Sequence, residues 1–256
     1  MFSKLKEEDF AALRGPLESG RQSPEALASI LILSIFLQTL MFGLTYLVAF
    51  NVSNFPHKEY VFIIHLIITG LLIVLSIICA IPGVYKKYQK MQYLISILIS
   101  QNLFGVFFYL IAIFFISEQI KTESSLMSFT FITLIIGLLI FIVTCIRFYI
   151  LLRKGEYKKG STRDQLRSNL ESKIKSFLPM IIIGSIGVVY IIQLLVRTYG
   201  LADIESALML TLCIALFYAM LIILPEQLVI LYCKYRFDSF NYNKKGNLNP
   251  MGRKGA

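Results

Sequence analysis

Residues 60–81, YVFIIHLIITGLLIVLSIICAI, contain no Asp, Glu, Lys or Arg, and residues 82–92, PGVYKKYQKMQ, then supply three lysines. The uncharged run is long enough to cross a hydrocarbon core of about 30 Å as one helix. Lysines just beyond it mark a loop that resists translocation and stays in the cytoplasm.

The same alternation runs through the whole chain. Apolar blocks at residues 26–50, 60–81, 93–116, 126–147, 177–196 and 207–233 predict an all-α polytopic membrane protein with six transmembrane helices. Counted from the amino terminus through each gap to the carboxyl terminus, with Arg147 at the edge of the fourth block taken with the gap that follows it, Lys and Arg number 4, 1, 3, 1, 9, 1 and 6. Thus 22 of the 25 fall in every second gap, and only Lys58, Lys121 and Arg197 fall in the others. That partition predicts cytoplasmic N- and C-termini in a cell membrane.

A net charge of +10 invites a nucleic-acid reading, but orientation already accounts for it. No basic segment interleaves aromatic residues as a folded nucleic-acid surface would, so no nucleic-acid partner is expected. The expected partners are anionic lipid headgroups, attracted by about 1 kcal/mol per basic residue near the surface, and another membrane or cytoplasmic protein. Cys79, Cys145, Cys213 and Cys233 all lie in apolar blocks, which argues against a disulfide framework and for small buried hydrophobes. Cys233, nearest the cytoplasmic end, is also open to lipidation. With Trp absent, Tyr60, Tyr93, Tyr149, Tyr199 and Tyr232 are the expected interfacial ring residues.

The chain divides into a cytoplasmic lead, 1–25, the membrane domain, 26–233, and a basic tail, 234–256, whose lack of periodicity predicts disorder. In the lead, Phe2, Leu5, Phe10 and Leu13 share one face of a short helix expected to lie on the membrane surface. Ser23, Pro24 and Glu25 form a start signal for the first span: a hydroxyl cap, a proline in the first turn and an acid at the positive dipole end. The longest inner connection, about 148–176, holds a second start signal at Ser161 and Asp164. Leu166, Leu170, Ile174 and Leu178 come after it at four-residue spacing, with Arg163, Arg167, Lys173 and Lys175 on the remaining surface. That pattern predicts an amphipathic helix between the fourth and fifth spans, and its four basic residues are the candidate lipid or partner surface.

Polar residues inside hydrocarbon are costly, so they are the first places to look for a site. Glu226 leads them, in Leu224-Pro225-Glu226-Gln227-Leu228 of the sixth span. Pro225 removes a backbone donor and releases the carbonyl of Leu221, which predicts a broken helix with a carboxylate beside it, an arrangement transporters use for cations. The competing expectation is a structural ion pair between Glu226 and Arg147 of the fourth span. Gln101 and Asn102 lie near the middle of the third span; with Ser34, Gln38, Ser96 and Ser100 they read as groups that hydrogen-bond between helices. His65 reads as hydrogen-bonded structure, and Gly184, Ser185 and Gly187 as a close helix approach.

No HExxH, metal-spaced Cys/His cluster, phosphate-cradling glycine loop or pair of intramembrane acids occurs, so no catalytic, metal or cofactor site is assigned. The resulting expectation is a non-enzymatic membrane protein acting through partners, for example an accessory or immunity-type protein for a membrane-acting toxin or an export complex. The alternative is a small-solute or ion transporter, or a permease subunit of an ATP-driven one, using Pro225 and Glu226.

Overall fold

The computed structural model describes residues 5–120, 122–166, 202–243 and 245–252. Among these residues the chain is helical, with no strand. Five helices are long and apolar enough to cross a membrane: α1, Pro24–Val52; α2, Lys58–Ala80; α3, Gln89–Glu118; α4, Glu123–Arg153; and α5, Ala202–Arg236. This is the build of an integral membrane protein. The expected fifth span, 177–196, lies outside the described residues, as do Arg167, Lys173, Lys175, Gly184, Ser185 and Gly187. The expected sixth span is α5.

Local chemistry starts α1 where the sequence places its cap. Ser23 is extended, its hydroxyl accepts from the Ala26 amide at 3.1 Å, and Pro24 and Glu25 fill the first turn. At the other end of α1, Lys58 donates to the carbonyls of Phe50 and Ser53 at 3.0 and 2.7 Å and lies 4.6 Å over the Phe50 ring. A cation on freed carbonyls suits a helix C-terminus, and this employs one of the three basic residues that break the charge partition.

Helix α3 is the centre of the packing. Of its central window 61 % is buried, against 28, 22, 11 and 11 % for α1, α2, α4 and α5. It touches α1 and α2 on one side and α5 on another, while α4 packs chiefly on α5. The α4–α5 approach is closest at Gly137, where a Cβ would come within 3.1 Å of Leu221 Cδ1 and 3.3 Å of Phe217 Cε1. Beside it Tyr218 donates to the Thr133 carbonyl at 3.0 Å, and Tyr109 of α3 stacks on Phe217 with ring centres 4.5 Å apart.

Helix α5 corrects the expectation of a break at Pro225: it is helical without interruption from Ala202 to Arg236. Proline is tolerated in such helices when neighbouring side chains occupy the carbonyls around the lost bond. Gln101 of α3 supplies one such donor, to the Met220 carbonyl at 3.2 Å, one residue before the carbonyl that Pro225 releases.

One end of the bundle is closed by a cap built from sequence-distant pieces. A 3₁₀ helix, Glu7–Arg14, and a single turn, Gly15–Glu18, bury Phe10, Leu13 and Leu17 at 1 % exposure or less. Instead of lying on the membrane surface, this segment packs against Tyr93, Phe148, Tyr157, Ile230, Cys233 and Phe240. The apolar face is therefore spent on the protein itself. Cys233, at 0 % exposure, sits inside this cluster as a buried hydrophobe.

The carboxyl-terminal segment after α5 is also part of the cap, and its described residues are ordered where disorder was expected. Asp238–Phe240 form a 3₁₀ turn, and Tyr242 bridges Leu248 across a hairpin closed at Gly246 (φ 82°). The Gln89 side chain pairs with the backbone of Tyr242 in both directions, at 2.8 and 2.9 Å, as a neighbouring strand would. Two buried cations hold the segment from below: Arg14 donates to the Asn249 carbonyl and Lys234 to the Phe240 carbonyl, each at 3.0 Å. Lys234 also lies 5.2 and 5.8 Å from the Tyr93 and Tyr242 ring centres. Burial, with Glu25 adding to it and Arg14 opposing, pushes the Tyr242 phenol up to about 12, so it keeps the proton it donates to the Leu17 carbonyl at 2.6 Å. These bonds, absent from any local periodicity, are what order the tail.

The packing at Gly137 is directly testable. Gly137→Leu forces side chains of α5 aside and is expected to cost about 1–3 kcal/mol, read as a lower melting temperature in detergent. Gly70→Leu, at a position with nothing within 4 Å, is expected to leave the melting temperature unchanged.

Candidate functional site

Consecutive residues of a helix point about 100° apart, and Gln101 and Asn102 accordingly serve different neighbours. Gln101 reaches α5, donating to Met220 and, at 3.4 Å, to the Gln227 side-chain oxygen. Asn102 is buried and faces α1 and α2. The amides expected as one mid-membrane group are thus two separate arrangements.

Around Asn102 the structure assembles a continuous hydrogen-bond chain. The Tyr46 hydroxyl is 2.8 Å from His65 Nδ1, and His65 Nε2 is 3.0 Å from Asn102 Oδ1. Because a carboxamide oxygen can only accept, Nε2 carries a hydrogen; in the neutral imidazole Nδ1 then accepts and Tyr46 donates. The Asn102 amide nitrogen then donates to Thr69 Oγ1 and Gln38 Oε1 at 3.3 and 3.4 Å, the long side of the usual range. All five side chains are at most 5 % exposed. With its oxygen committed to Asn102, Gln38 directs Nε2 away, and that nitrogen is buried with no partner among the described residues.

The helices deform where they feed this chain. Leu44–Ala49, holding Tyr46, and Asn102–Val106 are π-helical turns within α1 and α3. A π turn inserts an extra residue, rotates the rest of the helix about its axis and is frequent at functional sites. Local donors occupy carbonyls at the first turn: Thr45 bonds the Met41 carbonyl at 2.8 Å and Asn51 that of Leu47 at 2.8 Å. Phe42, Tyr46 and Phe107 enclose the imidazole, Phe107 edge-on at 4.5 Å. Sequence reasoning found Asn102, Gln38 and His65 individually but missed Tyr46, Thr69 and both π turns.

The serines behave otherwise. Among the described residues Ser34, Ser96 and Ser100 do not bond across helices; each donates to the carbonyl three residues back, at 2.7, 2.7 and 2.8 Å. A hydroxyl in an apolar helix has its own backbone within reach at no cost in ordering a second helix.

Glu226 is in a different place, toward the capped end. With Arg147, Arg163 and Thr144 it lines a cavity of about 330 Å³, walled by Tyr157 and Ile222 among others. Among the described residues no ion pair joins Arg147 to Glu226: Arg147 is exposed, six residues inside the end of α4, where its long stem can carry the charge outward. Arg163 is held by the protein, donating to the Tyr157 hydroxyl at 2.9 Å with its guanidinium 5.6 Å from that ring's centre. Around it the second start signal is formed: the Asp164 amide donates to Ser161 Oγ at 3.2 Å and the Gly160 amide to the Asp164 carboxylate at 2.8 Å. Among the described residues no group of three or more His, Cys, Asp and Glu side chains could hold a metal ion.

Neither a protein-family model, nor a curated protein, nor a solved structure matches this chain. The functional reading therefore rests on its own residues.

Replacing Asn102 tests whether the chain is structural. Asn102→Leu leaves His65 Nε2–H without an acceptor in a medium that offers none, and is expected to cost about 1–3 kcal/mol. Tyr46→Phe removes only the terminal donor and is expected to cost less. The comparison is made by melting temperature and by resistance to unfolding in mixed micelles.

Proposed function

We propose that this is a non-enzymatic membrane protein of six spans, with both termini in the cytoplasm of a cell, that acts by binding a partner protein. An accessory or immunity-type role for a membrane-acting toxin, or for a secretion or export complex, fits this reading. Two arrangements support the topology. The N-terminal segment, the connection after α2, the connection after α4 and the C-terminal segment gather at one end, where the basic residues concentrate. Residues 206–213 lie instead beside 111–118 at the other end, which supports a further crossing between Arg153 and α5.

The observation that carries the partner reading is the filled end of the bundle. Where a transport path would open, Phe10, Leu13, Leu17 and Phe240 are packed to 1 % exposure or less, and the cap bears its exposed lysines outward. The surface proposed for the partner is Arg163 with Arg167, Lys173 and Lys175. Purification in mild detergent is expected to recover a partner in stoichiometric amount with the wild-type chain. Recovery is expected to fall at least tenfold when the four are changed together to Gln. A solitary protein that moves ions across liposomes overturns the proposal.

A transport reading draws on one specific feature, the carboxylate of Glu226 beside Arg147 and Arg163 in a single cavity. Under it, Glu226→Gln yields abundant, folded and inactive protein in a flux assay. Under the partner reading the same variant retains partner recovery, and no flux is measured with either protein.

A further inference from the structure

A second cavity, of about 460 Å³, lies on the outside of the cap between the start of α3 and the C-terminal segment. Its walls divide by chemistry. On one side stand Lys87 and Lys90, with Nζ 5.3 and 5.2 Å from the ring centres of Tyr88 and Tyr235. Among the described residues those ring contacts are the only specific interactions of either ammonium group, so both keep all their donors. On the other side stand Asn241, whose side-chain nitrogen donates to the Lys234 and Phe237 carbonyls, and Asp238, which is exposed. The cavity thus offers two uncommitted cations and, across from them, an exposed carboxylate.

Its level relative to the membrane narrows the occupant. Lys90 is in the first turn of α3 and Tyr235 in the last turn of α5, so the cavity sits where two apolar helices end. Tyr88 and Tyr235 are 52 and 59 % exposed there, the setting in which aromatic rings meet headgroups and glycerol. Basic pockets at the ends of membrane helices suit phosphate-bearing headgroups. Tyr88, the N-cap residue of α3, makes no side-chain cap, which leaves the positive end of that helix facing the same region.

We propose that this cavity binds a phosphate ester bearing hydroxyl donors, supplied as an anionic phospholipid headgroup: Lys87 and Lys90 take the phosphate, and the Asp238 carboxylate accepts from the hydroxyls. The site is separate from the Arg163 surface and from the Glu226 cavity, and it stands whether or not a partner protein binds there.

The test uses the full chain in detergent, probed with phosphatidylglycerol, with phosphatidylcholine, whose headgroup has no hydroxyl donor, and with soluble glycerol phosphate. Native mass spectrometry counts retained lipid, and titration gives relative affinity. The wild-type chain is expected to retain phosphatidylglycerol over phosphatidylcholine. Lys87→Gln with Lys90→Gln is expected to lose about tenfold or more in affinity, and Asp238→Asn to narrow the preference for the hydroxyl-bearing lipid. Lys154→Gln with Lys159→Gln removes the same charge from exposed positions at the same end and is expected to change neither. Equal losses from both lysine pairs, or none from the first, overturn the site. Tight binding of glycerol phosphate without retention of lipid upholds the phosphate chemistry and overturns the lipid as its source.

Discussion

The carboxamide of Asn102 joins three helices in a medium that offers no replacement for any bond it makes. Lipid provides neither donor nor acceptor, so a polar side chain there must find its partners in the protein or destabilise it. Much of the bundle's form stems from that requirement. Tyr46, His65, Thr69 and Gln38 converge on one point, and α1 and α3 each take up a π turn beside it. The direction of donation is set along the whole chain, from the phenol through a neutral imidazole to the amide. It ends on a Gln38 nitrogen with nothing to donate to among the described residues. Ser34, Ser96 and Ser100 meet the same requirement locally, by bonding back to their own helix.

At the capped end the same logic acts on charge. Arg14 and Lys234 are 6 and 2 % exposed, and a buried cation is tolerated only when its hydrogens are engaged. Each makes one such bond, to the carbonyls of Asn249 and Phe240, and Glu18 lies 3.9 Å from Arg14, whose Nε has no partner among the described residues; the C-terminal segment is thus ordered by the cations beneath it as much as by its own turn. Basic residues here therefore do two distinct things. The buried ones fasten the termini to the bundle, while the exposed ones carry their charge on its surface.

What could be read from the sequence divides along the same line. Long uncharged blocks located five helices, and Ser23 and Ser161 marked caps, because hydropathy and capping are local properties. The ordered tail was not legible: Tyr242 is held by Gln89 and Leu17, which are 153 and 225 residues away in the chain. Phe10 and Leu13 were recognised as an apolar face, but periodicity does not say whether such a face meets lipid or protein. Pro225 misled for a related reason. A proline predicts lost hydrogen bonding, yet whether the helix breaks depends on what packs beside it, here Gln101. Of the candidate site, the individual polar residues were visible and their grouping was not, because grouping depends on helix rotation and π turns rotate the chain mid-span.

That rotation also bears on function. A transport path needs polar groups that succeed one another along a shared face from one side of the membrane to the other. Here Gln101 and Gln227 lie between α3 and α5, whereas the Asn102 group lies between α3, α1 and α2, with apolar side chains such as Leu103 and Phe107 packed around it. Glu226, one residue from Gln227, turns toward the α4 side and its arginines. The polar groups of the described helices thus point outward from α3 and α5 in different directions, and below them the cap closes the bundle with buried aromatic rings. Such an interior is suited to holding helices in register, and the unspent polar chemistry lies on the outside of the capped end.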